Sequence, residues 1–351
     1  MHDNTRVLIV DDSPLFTDAL MDLLGSHPRI TVVGIARNGV EALQLVKRLE
    51  PDLITMDIHM PMMDGLEAVA RIMAERPTPI MVLTADEKSR DQSWCFEALR
   101  RGALELMAKP DIDALYEAAG AEFCERVRLL ACIPVVHHAR VRRIVPSMEP
   151  PMPGRPDHIP AVVGIVASTG GPSAIAEVLA ELPPTFPLPI VIVQHLAAGF
   201  APHLASWLRE LCALEVKIAE RGMPLESGVI LIAPEGHHLV VNPGAKVGFV
   251  PGEGDTHCPS GDRLLASIAG TFRDRGIGIV LTGMGRDGAR GLLKMKQAGA
   301  VTIAQSGETS VVDGMPRAAR ENGAAAEVSK LSEIAGSLLR RARTFTLMGR
   351  S

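Results

Sequence analysis

Short apolar runs that end on a polar or charged residue recur along this chain, separated by stretches with helical spacing. Val7 to Val10 leads into Asp11 and Asp12, Ile54 to Met56 into Asp57, Ile80 to Leu83 into Thr84, and a further short apolar stretch into Lys109 and Pro110. Runs this short and this continuous read as parallel strands buried on both faces. Asp111 to Leu130 reads as a closing helix, with Leu115, Ala118, Ala119 and Phe123 on one face. A second series starts at Ala161. Val162 to Val166, Ile190 to Val193 and Ile277 to Leu281 read as strands, and Pro172 to Leu182 as a helix with proline in its first turn. Gly228 to Val241 reads as a hairpin insertion.

Between the two series the pattern dissolves. Ile133 to Pro160 carries Pro134, Pro146, Pro150, Pro151, Pro153, Pro156 and Pro160, which no long helix or central strand tolerates. This is read as an extended linker. His137 and His138 beside Arg140, Arg142 and Arg143 read as a solvated basic stretch in preference to a metal site. The expected organisation is therefore a domain over residues 1–120, a terminal helix and linker over 121–160, and a second domain over 161–345. A length of 351 residues suits two domains.

In open α/β sheets the carboxyl ends of the strands meet at one crevice. Asp11, Asp12, Asp57, Thr84 and Lys109 should converge there. Three carboxylates at one point repel each other unless a hard cation sits among them, and Mg²⁺ suits oxygen ligands that leave it some water. This set resembles the receiver domain of two-component response regulators, a flavodoxin-like α/β fold, over roughly the first third of the chain. The resemblance implies that Asp57 is the phosphoacceptor. It implies that Asp11, Asp12, Asp57 and the backbone carbonyl of His59 hold Mg²⁺, and that Thr84 and Lys109 contact the phosphoryl group. A sensor histidine kinase is the implied phosphodonor. One departure stands out: receivers usually carry an aromatic residue three positions before the lysine, and here it is Leu106.

In the second series, Ser168 follows a strand and precedes Thr169, Gly170, Gly171 and Pro172. His195 follows the next strand, and Asp287 follows a third. A serine needs a base to become nucleophilic, and a histidine base needs an acceptor on its other nitrogen. The residues alone leave other readings open. Ser168 caps helices as serine often does, His195 is a hydrogen-bonded strand-end residue, or Asp287 starts the next helix. Phosphate binding by the glycine turn is weaker, since the G-x-G-x-x-G spacing and the P-loop lysine are absent.

Ala167 to Pro172, Gln194 and His195 with Phe200 downstream, Pro259 and Ser260 with Asp262, and Leu281 to Gly288 resemble the chemotaxis protein-glutamate methylesterase family. Ala304, Gln305 and Gly314 to Pro316 extend the likeness. It implies a C-terminal doubly wound parallel-sheet α/β esterase domain that hydrolyses glutamyl methyl esters on the cytoplasmic domains of chemoreceptors, releasing methanol, with glutamine deamidation as a second activity. Ser168 is then the nucleophile, His195 the general base and Asp287 its orienting partner, with Thr169 and the Met284 backbone stabilising the oxyanion and no cofactor for hydrolysis. It also implies a receiver that covers the catalytic cleft until phosphorylated. Leu196 and Ala197 replace the usual Met-Pro after the histidine, and Gly261 stands where an apolar residue is common. His257 and Cys258 read as loop residues, not as a hydrolytic pair.

The bulk numbers narrow the alternatives. A net charge of −5 offers no footprint for nucleic acid, and the second half lacks a compact basic helical module, so a DNA-binding output is disfavoured. Cys95, Cys124, Cys132, Cys212 and Cys258 are odd in number and lack a Cys-x-x-Cys pair, as expected of reduced thiols. With no signal peptide and no apolar stretch long enough to span a bilayer, a cytoplasmic protein without membrane insertion is expected.

Overall fold

The computed structural model describes residues 4–84, 93–115, 118–133, 161–197, 199–252 and 257–348. The chain forms two units, Met1–Arg140 and Val141–Ser351. Most of the expected linker, with His137, His138 and the arginines, lies outside the described residues.

The first unit alternates β1 (Thr5–Val10), α1 (Pro14–Ser26), β2 (Ile30–Ala36), α2 (Gly39–Leu49), β3 (Leu53–Asp57), α3 (Gly65–Glu75), β4 (Ile80–Thr84), α4 (Ser93–Arg100) and β5 (Glu105–Ala108). Its five strands are parallel in the order β2-β1-β3-β4-β5, the flavodoxin-like arrangement. Val7, Leu8, Ile9, Leu53, Ile54, Ile80 and Val82 are fully buried, which is why these strands read as unbroken apolar runs. Asn38 and Asp64 cap α2 and α3, accepting hydrogen bonds from the N–H groups of Glu41 (2.9 Å) and Glu67 (2.8 Å). The chain leaves β1 toward β2 on one side and reaches β3 on the other. That reversal opens a crevice at the β1 and β3 carboxyl ends.

The closing helix is described in two pieces, α5 (Ile112–Leu115) and α6 (Ala118–Ala131). Gly120 lies so close to the Leu115 carbonyl that a Cβ there would overlap it. Leu115 and Phe123 are buried as expected; the side chains of Ala118 and Ala119 lie outside the described residues.

The second unit contains β6 (Val162–Ala167), α7 (Gly171–Ala180), β7 (Ile190–Gln194), α8 (Ala201–Leu211), β8 (Glu215–Ile218), β9 (Val229–Ile232), β10 (His237–Asn242), β11 (Lys246–Pro251), α9 (Gly261–Phe272), β12 (Gly276–Val280), α10 (Ala289–Gln297), β13 (Val301–Gln305), α11 (Met315–Glu321), β14 (Glu327–Ser329) and α12 (Leu331–Met348). Seven strands form a parallel sheet in the order β14-β13-β12-β6-β7-β9-β8. β6 is central: the chain winds outward from it through β7, then returns to its other side at β12. The carboxyl ends of β6, β7 and β12 therefore border one switch point.

The hairpin differs from expectation. Val229–Ile232 is an inner strand of the main sheet, wholly buried, and pairs in parallel with β7 and β8. The antiparallel hairpin is β10 with β11, from His237 paired with Pro251 to Asn242 paired with Lys246. An all-apolar strand suits burial on both faces, whereas β10 mixes buried and exposed positions along its length. Among the described residues Cys124, Cys132, Cys212 and Cys258 are free thiols, and no helix is long and apolar enough to cross a membrane.

Candidate active site and phosphoacceptor pocket

At the switch point of the first unit, carboxylate oxygens of Asp11, Asp12 and Asp57 lie within 4.8 Å of one another. Lys109 Nζ, after β5, sits 2.6 Å from Asp11 Oδ2 and 2.8 Å from Asp57 Oδ2. The other Asp57 oxygen accepts the Ile58 N–H at 2.7 Å. Burial is the largest influence on Asp11 and pushes its carboxyl upward, only partly offset by Lys109. Burial pulls Lys109 down, but its bonds to Asp11 and Asp57 outweigh this and raise it. One ammonium thus faces three carboxylates. That surplus of acceptor-only oxygens, with Asp12 open to solvent, fits a hard divalent cation such as Mg²⁺.

Thr84 ends β4 one residue beyond the Asp57–Leu83 pair, and its carbonyl accepts the Lys109 N–H at 2.7 Å. His59 follows on the β3–α3 loop, exposed. Two supports were not legible in the sequence. Phe16 lies under the Lys109 ammonium, 5.0 Å from ring centroid to Nζ. Gly65 packs against the Asp57 carbonyl where any Cβ would overlap it. Leu106 pairs with Val82 in the β4–β5 ladder and is half-buried.

In the second unit, Ser168 follows β6 and is 8% exposed. Its position is fixed by its backbone. The N–H donates to the Thr282 carbonyl (3.0 Å), and its carbonyl accepts from the Gly171 N–H (2.8 Å) and from Gln194 Nε2 (2.8 Å). Gly283, after β12, passes so close that a Cβ there would lie 2.8 Å from Ser168 Cβ. The same Gln194 amide also donates to the His195 carbonyl at 2.9 Å, so one side chain ties the serine loop to the histidine loop. Thr282 ties in the third loop by donating its hydroxyl to the Thr169 carbonyl at 2.9 Å.

His195 Nε2 lies 2.9 Å from Asp287 Oδ2. Asp287 is held by the start of α9: Oδ1 accepts from the Ser260 hydroxyl (2.9 Å) and the Asp262 N–H (3.0 Å), and Oδ2 accepts from the Gly261 N–H (2.6 Å). Burial alone would raise this carboxyl. Bonds from His195 and from the Asp262 and Gly261 N–H groups outweigh burial and hold it well below the usual carboxylate range. The helix N-terminus acts in the same direction. An ionised carboxylate can only accept, so Nε2 carries the ring proton and Nδ1 presents the lone pair. Among the described residues the ring makes no hydrogen bond to Ser168. The Met284 N–H, expected at the oxyanion, donates to no partner among the described residues. Thr169 is buried beside Ser168.

Ser168, His195 and Asp287 stand out in the sequence as polar residues after strands, whereas the ties made by Gln194 and by Ser260 to Asp262 emerge only from the structure. The signals for the cradle are a serine at a helix start and the Pro259, Ser260 and Asp262 motif of the family resemblance.

The profile of the CheB methylesterase family matches residues 163–338, and that of the response regulator receiver domain matches residues 7–120. The protein-glutamate methylesterase/protein-glutamine glutaminase 3 of Myxococcus xanthus is 44% identical, over 90% of this chain and 87% of that protein. The chain belongs to the CheB methylesterase family. Another such protein, numbered 2 in Anaeromyxobacter dehalogenans, is also 44% identical, over 95% of this chain and 96% of its own length. The crystal structure of the CheB methylesterase catalytic domain of Thermotoga maritima shares 37% identity and a TM-score of 0.50, covering 52% of this chain and 99% of that one. The methylesterase match falls on the unit that carries Ser168, His195 and Asp287, and the receiver match falls on the one that carries Asp57.

Proposed function

We propose that this chain is a phosphorylation-gated hydrolase that demethylates glutamyl methyl esters on the cytoplasmic domains of chemoreceptors, releases methanol, and deamidates receptor glutamines at the same site. Residues 1–120 act as the receiver and 161–345 as the esterase. The observation that carries the catalytic half is the His195–Asp287 pair seated on the start of α9, with His195 and Ser168 at adjacent strand ends that Gln194 ties together.

Ser168 Oγ attacks the glutamyl carbonyl carbon while His195 Nδ1 takes the hydroxyl proton. The carbonyl electrons move to oxygen, where N–H groups at Thr169 and Met284 stabilise the negative charge. On collapse the bond to methoxide breaks, and the imidazolium returns the proton so that methanol leaves. Water, deprotonated by His195, then attacks the acyl-enzyme and frees glutamate and Ser168. With glutamine the leaving group is ammonia. Asp287 orients the ring and stabilises the imidazolium. Methanol release from methylated receptor membranes tests this directly; a purified, folded chain that released none would overturn it.

In the receiver, Asp57 accepts the phosphoryl group from a sensor histidine kinase, with Thr84 and Lys109 as its contacts. Asp11, Asp12, Asp57 and the His59 carbonyl would hold Mg²⁺, which would supply positive charge to offset that of the incoming group. Both substrate and kinase belong in the cytoplasm under this proposal. Phosphorylation adds roughly two negative charges at Asp57, and the receiver is proposed to restrict the cleft until then.

Phosphodonor with Mg²⁺ is expected to raise methanol release by the full chain about tenfold, which needs only about 1.4 kcal/mol between covered and open states. Asp57→Asn should abolish that stimulation and the incorporated label, while EDTA should stop labelling and spare basal release. Label that persists in Asp57→Asn moves the acceptor elsewhere.

A fragment starting at Ala161 retains the seven-stranded sheet and its own core. It is expected to outpace the unphosphorylated full chain and to ignore phosphodonor. A slower fragment would mean that the receiver assists catalysis and does not cover the site.

A further inference from the structure

His257 stacks on the His195 ring, with centroids 4.6 Å apart and planes 15° from parallel. Three residues later the same loop supplies Ser260, Gly261 and Asp262 to Asp287. The loop is anchored from behind, because the Ser260 N–H donates to Nδ1 of the fully buried His238 at 3.0 Å. One short segment therefore touches both members of the base pair.

The contact has a geometric consequence. The hydrogen bond from Nε2 to Asp287 fixes one point of the His195 ring, about which the ring can still tilt. A face-to-face contact fixes the plane. Together they fix the direction of Nδ1, the atom that must meet the serine proton within hydrogen-bond reach. We propose that His257 is a positioning residue for this reaction, holding the plane of the general base by stacking and not by its own acid–base chemistry. This rests on the hydrolase reading above.

The test uses the full chain. His257→Leu keeps apolar bulk and removes the ring; His257→Gln keeps polarity and removes the ring; His257→Phe keeps a ring without titratable nitrogens. Leu and Gln should each lower kcat for methanol release about threefold to tenfold, in line with the worth of an aromatic pair. KM should change less than twofold, because the stack acts on the base and not on the substrate. Phe should recover most of the lost rate. In parallel, proton NMR of the His195 ring should show an upfield ring-current shift that Leu and Gln abolish and Phe retains. That readout needs no turnover, so an inactive wild type would count against the hydrolase reading while the stack is still judged. The proposal is overturned if Leu and Gln leave kcat and the ring shift at wild-type values. It is also overturned if Gln matches wild type while Leu does not, or if Phe keeps the shift but loses the rate.

Discussion

Ser168→Ala is expected to lower methanol release by on the order of 10⁶ in kcat while leaving the fold in place. Losing the nucleophile of a serine triad has a cost of that size, because the residues act as a unit and the remaining pair has nothing to activate. The unchanged fold follows from how the residue is held. Its anchors are backbone groups, donating to Thr282 and accepting from Gly171 and Gln194, and alanine keeps all of them. The Cβ that packs on Gly283 is also retained. The melting temperature should therefore move by no more than a typical neutral substitution, within about 0.5 kcal/mol, and labelling at Asp57 should proceed as before. Methanol release, thermal melting and label incorporation on one preparation check all three. Near-wild-type release from folded Ser168→Ala protein would remove Ser168 from the reaction.

The strand ends of both sites were legible because one physical rule writes them. A buried parallel strand is a continuous apolar run, and the first polar residue after it marks the crevice. Asp11, Asp57, Thr84 and Ser168 follow that rule directly, whereas His195 comes one residue after the polar strand end Gln194 and Asp287 sits further along the loop that Thr282 opens after β12. Sheet order was less legible, since a run's composition says that it is buried but not between which neighbours. Val229–Ile232 shows this: its sequence neighbours form a hairpin, yet it slots between β7 and β8. The helix after Lys109 carried its apolar face in the pattern, but the close approach of Gly120 to Leu115 is a matter of packing. Least legible were contacts made by loop closure. Gln194 could be seen as a polar strand end, but not as the tie between two carbonyls. His257 is a polar residue in an irregular stretch, with no periodicity to announce its stack on His195. Asp287 lies just before α10 in the chain yet is bound by the start of α9, two elements that sequence spacing does not connect.

Asp287→Asn should reduce kcat by on the order of 10⁴, less than loss of the serine, and should also destabilise the fold. Four donors converge on the carboxylate: Ser260 and Asp262 on Oδ1, and His195 and Gly261 on Oδ2. An asparagine has one acceptor oxygen, so its NH₂ must face the Asp262 N–H or the Gly261 N–H, neither of which can become an acceptor. A buried donor left unmatched costs about 1–3 kcal/mol. If the NH₂ takes the Oδ2 side, His195 can accept from it only by moving its proton to Nδ1, which removes the lone pair that the serine needs. The pH dependence has a definite sign. The carboxyl is held well below its unfolded value, so its ionised form is the one the fold stabilises. That contribution is present in full above the unfolded pKa, about 4, and is lost as pH falls toward the folded value. The gap in melting temperature between wild type and Asp287→Asn should thus be constant from pH 5 to 8 and narrow steadily below about pH 4. Melts across that range, with methanol release measured near neutrality, check both halves. A gap that held its full size well below pH 4 would show that the ionised carboxylate is not what the α9 cradle binds. A kcat close to wild type would show that His195 is oriented by something other than Asp287.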